Sequence, residues 1–143
     1  MKLRKFYAAD LSILDVQATQ THEIVAMPRF VASVYEARST PAATVYDEEG
    51  VIACLGLLPL GERKALSWAF LGARAGQHLL GLTRLVLRTI AASDFQRVEA
   101  TVISGFNEGH RWAKMLGYEL ETPAGMKNYD SSGNTYYQYA KVR

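Results

Sequence analysis

Two side chains in this sequence have acid–base chemistry, and each stands where that chemistry has an ordinary alternative. Glu99 belongs to "RVEATVIS", an alternating pattern with Val98, Ala100 and Val102 on one side and Glu99, Thr101 and Ile103 on the other. A carboxylate there acts as a general base if its surroundings raise its pKa, or it pairs with Arg97 at a sheet rim. His110, in "NEGHRWAKML", titrates near neutrality. It either moves protons or stands solvated on a polar helix face. Cys54 lies inside the apolar run "VIACLGLLPL" and reads as a buried, inert thiol. Three isolated histidines and one such cysteine do not make a ligand set, so no metal centre is expected.

The elements that must position these residues follow from periodicity. "KLRKFY" reads as a first strand. "LSILDVQATQTHEIVAM" has scattered helical spacing (Leu11, Leu14, Ala18), with Asp10 or Ser12 as cap, and Pro28 interrupts it. "RFVASVYEAR" puts Phe30, Val31, Val34 and Tyr35 on one helical face. After Pro41, "AATVYDEEGVIACLGLLPL" is a hairpin with an acidic turn ending in Gly50, and "ERKALSWAFLG" adds a third strand of an antiparallel meander. "ARAGQH" is a loop without bulky apolar residues. In "LLGLTRLVLRTIAAS", Leu79, Leu82, Leu85, Val86 and Ile90 share a helix face. With "RVEATVIS" this forms a β-α-β crossover, which joins parallel strands. A helix from about Asn107 to Leu116 stops at Gly117. "DSSGN" is turn chemistry inside a closing hairpin. Trp68 and Trp112 are expected to meet across the core. The tyrosines of the hairpin, Tyr129, Tyr136, Tyr137 and Tyr139, either pack or line a pocket.

Composition limits the function classes. The 143 residues are the size of one domain, and 49% are apolar, enough for a core. Sixteen basic against 14 acidic residues leave a net charge of +2, which gives no electrostatic case for nucleic acid. No stretch has the ~20 apolar residues of a membrane span. The N-terminal "MKLRKFYAADLS" lacks the apolar core of a signal peptide, and the single cysteine forms no internal disulfide; both predict a cytoplasmic protein.

The element order β-α-α-β-β-β-α-β-α-β-β, with Asn107, Trp112, Leu116, Gly117 and Tyr118 in the last helix and its stop, resembles the GNAT superfamily of N-acetyltransferases over essentially the whole chain, 1–143. The resemblance implies an α/β (α+β) fold in a single domain. Its sheet would be mixed and mostly antiparallel, with helices on both faces and a V-shaped splay between the fourth and fifth strands. It implies acetyl-CoA as cofactor. The pantetheine arm would pair with the splayed strand at Leu71. The pyrophosphate would lie on the loop and helix start formed by Arg74, Gly76, Gln77, His78 and Leu79, with Asn107 contributing from the last helix. Bare N–H groups and the helix dipole stabilise an anion at such a place. Gln77 and His78 stand where the family has a second loop glycine.

For catalysis the family pattern departs further. Counting back from Gly117-Tyr118 to the usual tyrosine acid lands on Trp112 and Ala113, and "KALSWAFLG" offers Ser67 where a glutamate base is common. Glu99 and His110 are the substitutes. His22 and Glu23 fall where this fold borders its acceptor site. The reading is an acetyl-CoA-dependent transfer to a small-molecule or protein amine. The alternative is a catalytically degenerate GNAT-fold protein with a structural role. The aromatic closing hairpin and "HRWAKMLGY" resemble internal virion proteins of short-tailed bacteriophages, which would place the protein in a virion with other phage proteins. A homodimer is a further expected association.

Overall fold

The computed structural model describes residues 1–17, 20 and 29–143. Among these, one sheet contains β1 (Lys2–Lys5), β2 (Ala42–Asp47), β3 (Gly50–Pro59), β4 (Lys64–Leu71), β5 (Arg97–Ile103), β6 (Glu119–Leu120) and β7 (Tyr136–Val142). Their spatial order is β1-β2-β3-β4-β5-β7-β6. Every neighbouring pair is antiparallel except β4–β5. The helices are α1 (Asp10–Ile13), α2 (Arg29–Arg38), α3 (Leu79–Ala92) and α4 (Asn107–Met115), and a 3-10 turn over Ala75–His78 leads into α3.

The sheet is covered on both faces, as an apolar central strand requires. Toward α3 and α4 lie Val45, Leu55, Leu57, Ala65 and Val98, met by Leu82, Val86 and Ile90. The latter three recur every fourth residue, so one stripe of α3 is buried. Toward α1 and α2 lie Phe6, Leu11, Cys54, Trp68 and Phe70, with Tyr35 packed against them. Trp68 and Trp112 therefore stand in separate clusters and do not meet as expected. Strand alternation explains this: Trp68 points away from the face on which Ala65 and Leu71 are buried. Burial pushes the Cys54 thiol up to about 12, so it is inert at neutral pH.

The crossover through α3 makes β4 and β5 parallel, and their pairing is short. Lys64, Ala65 and Leu66 face Arg97, Val98 and Glu99, after which the strands part. The expected splay is thus present at their C-terminal ends.

Two expected elements differ. The helix sought in "LSILDVQAT…" is one turn long among the described residues. The chain turns extended at Leu14 (ψ 123°). Val16 then bridges Gly72, and the Gln17 N–H donates to the Leu71 carbonyl at 2.9 Å. Partners at the end of β4 outcompete a weakly periodic helix. His22 and Glu23 lie outside the described residues. The closing hairpin is also thinner than expected. Its first strand is only Glu119–Leu120, plus a bridge from Met126 to Tyr136. Gly125 (φ 79°) and Asn128 (φ 53°) take left-handed conformations that interrupt pairing. "DSSGN" does form its turn, with Asp130 Oδ1 accepting from the backbone N–H groups of Ser132 and Asn134.

Candidate functional site

Where β4 and β5 part, a cleft of about 120 Å³ runs between them. Ser67 to Leu71 form one wall and Ala100 to Val102 the other. Tyr35 of α2 contributes from one face of the sheet, and Gly109, Trp112 and Ala113 of α4 from the other. Gly109 lets α4 approach this closely, since a Cβ there would stand 3.0 Å from Val102 Cγ1 of β5. The Trp112 indole donates to Thr83 Oγ1 at 2.9 Å, which ties α4 to α3 beside the cleft.

The backbone of β4 facing the cleft has lost its strand partner, yet its polar groups are not bare. The side-chain amide of Gln20 takes the place of a strand. It donates from Nε2 to the Ala69 carbonyl (2.9 Å) and accepts the Leu71 N–H at Oε1 (2.7 Å). Gln20 is itself buried, 5% exposed. A single amide offering one donor and one acceptor satisfies two groups that would otherwise cost free energy.

One polar atom in the cleft does lack a partner. Gly117 (φ 84°) ends α4 in a Schellman motif: the Tyr118 N–H donates to the Ala113 carbonyl and the Gly117 N–H to that of Lys114, both at 3.0 Å. This reversal turns Tyr118 inward. Its ring is 4% exposed, and its hydroxyl is buried without a hydrogen bond. Burial pushes the phenol up to about 12. The nearby Ser67 hydroxyl offsets part of that rise without reaching hydrogen-bond geometry. Buried orphan hydroxyls are rare enough in folded proteins to call for an explanation.

The loop after β4 contains the other anticipated residues. Gly76 has open space where a Cβ would stand. The Ala75 and Gln77 N–H groups are turned into the loop, toward the carbonyls of Gly72 and Arg74. Arg74 makes two hydrogen bonds to the Asp47 carboxylate at 2.9 Å and lies 3.6 Å from Glu49. His78 Nε2 is 3.6 Å from Asp47. The Arg74 guanidinium holds the Asp47 carboxyl down to about 2. Leu79 opens α3, and Asn107 opens α4 as an exposed residue.

Glu99 and His110 do not line the cleft. Glu99 sits at the last β4–β5 pair, accepts from Arg97 Nε at 2.8 Å and lies 3.8 Å from Lys64. Arg97 continues to Glu121, so Glu99 belongs to a charged chain along the sheet. His110 Nε2 lies 3.2 Å from the Ile103 carbonyl and Nδ1 2.8 Å from the Tyr139 hydroxyl. A carbonyl only accepts, so Nε2 holds the proton and Nδ1 receives the Tyr139 O–H. Burial lowers the His110 pKa. Of the hairpin tyrosines, Tyr136 and Tyr139 are buried, and none of the four lines the cleft. Among the described residues no group of histidine, cysteine or carboxylates could hold a metal, and no helix is long and apolar enough to cross a membrane.

Sequence reasoning passed over Gln20, Asp47 and the role of Tyr118. Tyr118 left a readable signal, an aromatic hydroxyl directly after a helix-stopping glycine. Gln20 and Asp47 left none, because both meet their partners only through the tertiary fold.

This arrangement is the GNAT fold: a seven-stranded mixed sheet, helices on both faces, and a parting between the fourth and fifth strands. Ard1 from Thermoplasma volcanium superposes with a TM-score of 0.76 at 14% identity, covering 99% of this chain and 96% of that one. A spermidine N-acetyltransferase, SpeG of Vibrio cholerae, gives 0.69 at 10% identity, covering 99% and 95%. A GNAT superfamily phosphinothricin acetyltransferase from Sinorhizobium meliloti, solved in complex with AcCoA, gives 0.66 at 20% identity, covering 99% and 87%. No family model and no curated protein matches the sequence. At these identities the likeness is one of fold.

Proposed function

We propose that the protein is an acetyl-CoA-dependent N-acetyltransferase, moving an acyl group from the CoA thioester to an amine. The observation that carries this reading is the cleft at the parting of β4 and β5, with the unpartnered Tyr118 hydroxyl inside it. The likeness to N-acetyltransferases, one of them holding AcCoA, supports it. The residues fit the cofactor in two places. Gly76 leaves open space at the loop before α3. Leu71 N–H and Ala69 C=O are aimed into the cleft, already paired with one amide and so able to take another.

When bound, the thioester supplies an activated acyl carbonyl. The loop from Arg74 to Leu79 would hold the pyrophosphate, with Arg74 divided between phosphate and Asp47. Ala69 and Leu71 would hold an amide of the pantetheine arm once Gln20 yields. Tyr35 and Gly109 line the cleft from opposite faces of the sheet, so amine and thioester would approach from opposite sides. The amine nitrogen bonds to the acyl carbon and the carbon–sulfur bond breaks. Tyr118 then gives its proton to the departing sulfur. Burial keeps that phenol protonated, the form an acid needs. Among the described residues no carboxylate lines the cleft, so the amine would arrive neutral, and its surplus proton would pass through water back to the Tyr118 phenolate.

The test is acetyl-CoA titrated into the protein by calorimetry, followed by thiol release over a panel of amines. Saturable binding and release with at least one amine are expected; the absence of binding overturns the reading. A second reading draws on the Arg74–Asp47 pair and on Gln20, which together close off the phosphate loop and the strand edge. Under it the chain is a GNAT-fold protein without a cofactor, used in assembly. A bacteriophage particle is then the setting suggested by "HRWAKMLGY". Absent CoA binding together with a large assembly in sedimentation would favour it.

A further inference from the structure

A second cavity, of about 170 Å³, lies under the C-terminal half of α3. Its floor lies where the sheet has opened. Ser67 and Ala69 of β4 face it and are only partly buried, just beyond Leu66, the last residue of β4 paired with β5. Small side chains there leave space that Leu85, Val86, Ile90 and Leu57 wall in. The exposed lining is overwhelmingly apolar, and Thr89 and Ser67 are the hydroxyl-bearing residues within it. This cavity and the cleft share Ser67, Trp68, Ala69, Trp112 and Leu116 as lining, so they adjoin beside the open edge of β4. An unfilled apolar cavity of this size destabilises a core, and the Trp112–Thr83 hydrogen bond keeps one wall from collapsing inward.

We infer that this cavity is an acyl-chain pocket, and that the preferred donor thioester has a straight chain of about four to six carbons and not acetyl. The inference rests on the acyltransferase reading above. At ~30 Å³ for a water-sized group, the space holds roughly five methylene-sized groups. The carbonyl stays in the cleft, and the chain passes Ser67 and Ala69 into the cavity under α3. Nothing in the cavity is charged, so the chain is recognised by length and apolarity alone.

The experiment compares acetyl-, butyryl-, hexanoyl- and decanoyl-CoA by calorimetry on the intact protein. Each buried methylene is worth up to roughly fourfold in affinity. Hexanoyl-CoA is therefore expected to bind at least ten times more tightly than acetyl-CoA, with a more negative heat-capacity change. Decanoyl-CoA should lose part of that gain. Ala43→Leu and, on the opposite wall, Thr89→Leu fill the cavity away from the cleft. Either one, if folded, should abolish the preference while leaving acetyl-CoA affinity within twofold. Equal binding of acetyl- and hexanoyl-CoA, or a preference that survives both filled variants, overturns the chain pocket and spares the acyltransferase reading. Failure of every thioester to bind overturns both.

Discussion

Strand β4 has two unlike edges. Along β3 it is paired from Ala65 to Leu71 without interruption. Along β5 it is paired only through Leu66, and beyond that its polar groups meet side chains and a passing segment. The first edge is pure scaffold, with Ala53 and Cys54 fully buried beneath it. At the second edge the backbone is held by replaceable partners, and a hydroxyl stands without one. Ligand chemistry belongs to the second edge because its hydrogen bonds can be exchanged without unzipping the sheet.

Tyr118→Phe tests the open edge most severely. If the hydroxyl delivers the proton, thiol release should fall by ~10²–10⁴-fold. The urea midpoint should hold or rise, because a buried group without a partner is removed. Unchanged release would take Tyr118 out of the chemistry and leave its hydroxyl unexplained.

Gln20→Ala separates the partner from the edge it covers. It strands the Ala69 carbonyl and the Leu71 N–H and should cost about 1–3 kcal/mol in chemical unfolding. CoA, freed from competition, should bind several-fold more tightly. A variant that loses stability without gaining affinity would mean that no ligand pairs at this edge.

The smallest effect concerns His110, at neither edge. Its folded pKa lies below the unfolded value, because burial disfavours the cation. The unfolded chain therefore binds the proton first as pH falls. The stability is fully present above about pH 6.5, the unfolded value, and is lost progressively as pH drops toward the folded pKa. The urea midpoint should decline modestly between pH 7.5 and 5.5, and that component should vanish in His110→Gln. An identical slope in the variant would assign the decline to other groups.

The two edges also differ in how far they could be read from sequence. The paired edge follows from local rules: alternating apolar residues, a glycine turn, and a crossover helix with a four-residue apolar repeat. These rules predict the element order and the parallel pair; the splay follows only from the resemblance to the GNAT superfamily. The open edge depends on contacts between distant residues. Gln20 and Ala69 are 49 positions apart and Arg74 and Asp47 are 27 apart. No periodicity marks either pair. The helix expected in this segment is interrupted between Leu14 and Gln17 for the same reason, since the chain there is shaped by the end of β4. Glu99 and His110 stand out in the sequence by side-chain chemistry, and chemistry alone does not reveal that Arg97 and Tyr139 already engage them.

The Gln20 amide gives any ligand at this edge an unusual thermodynamic signature. Two hydrogen bonds are broken for each two that form, so the contact is an exchange with little net enthalpy. Selectivity cannot then come from the backbone of β4, which accepts one amide as readily as another. It must come from the apolar remainder of the ligand, whose transfer from water is largely entropic near room temperature. Binding here should therefore weaken little, or strengthen, on modest warming, in contrast to sites built on newly made hydrogen bonds.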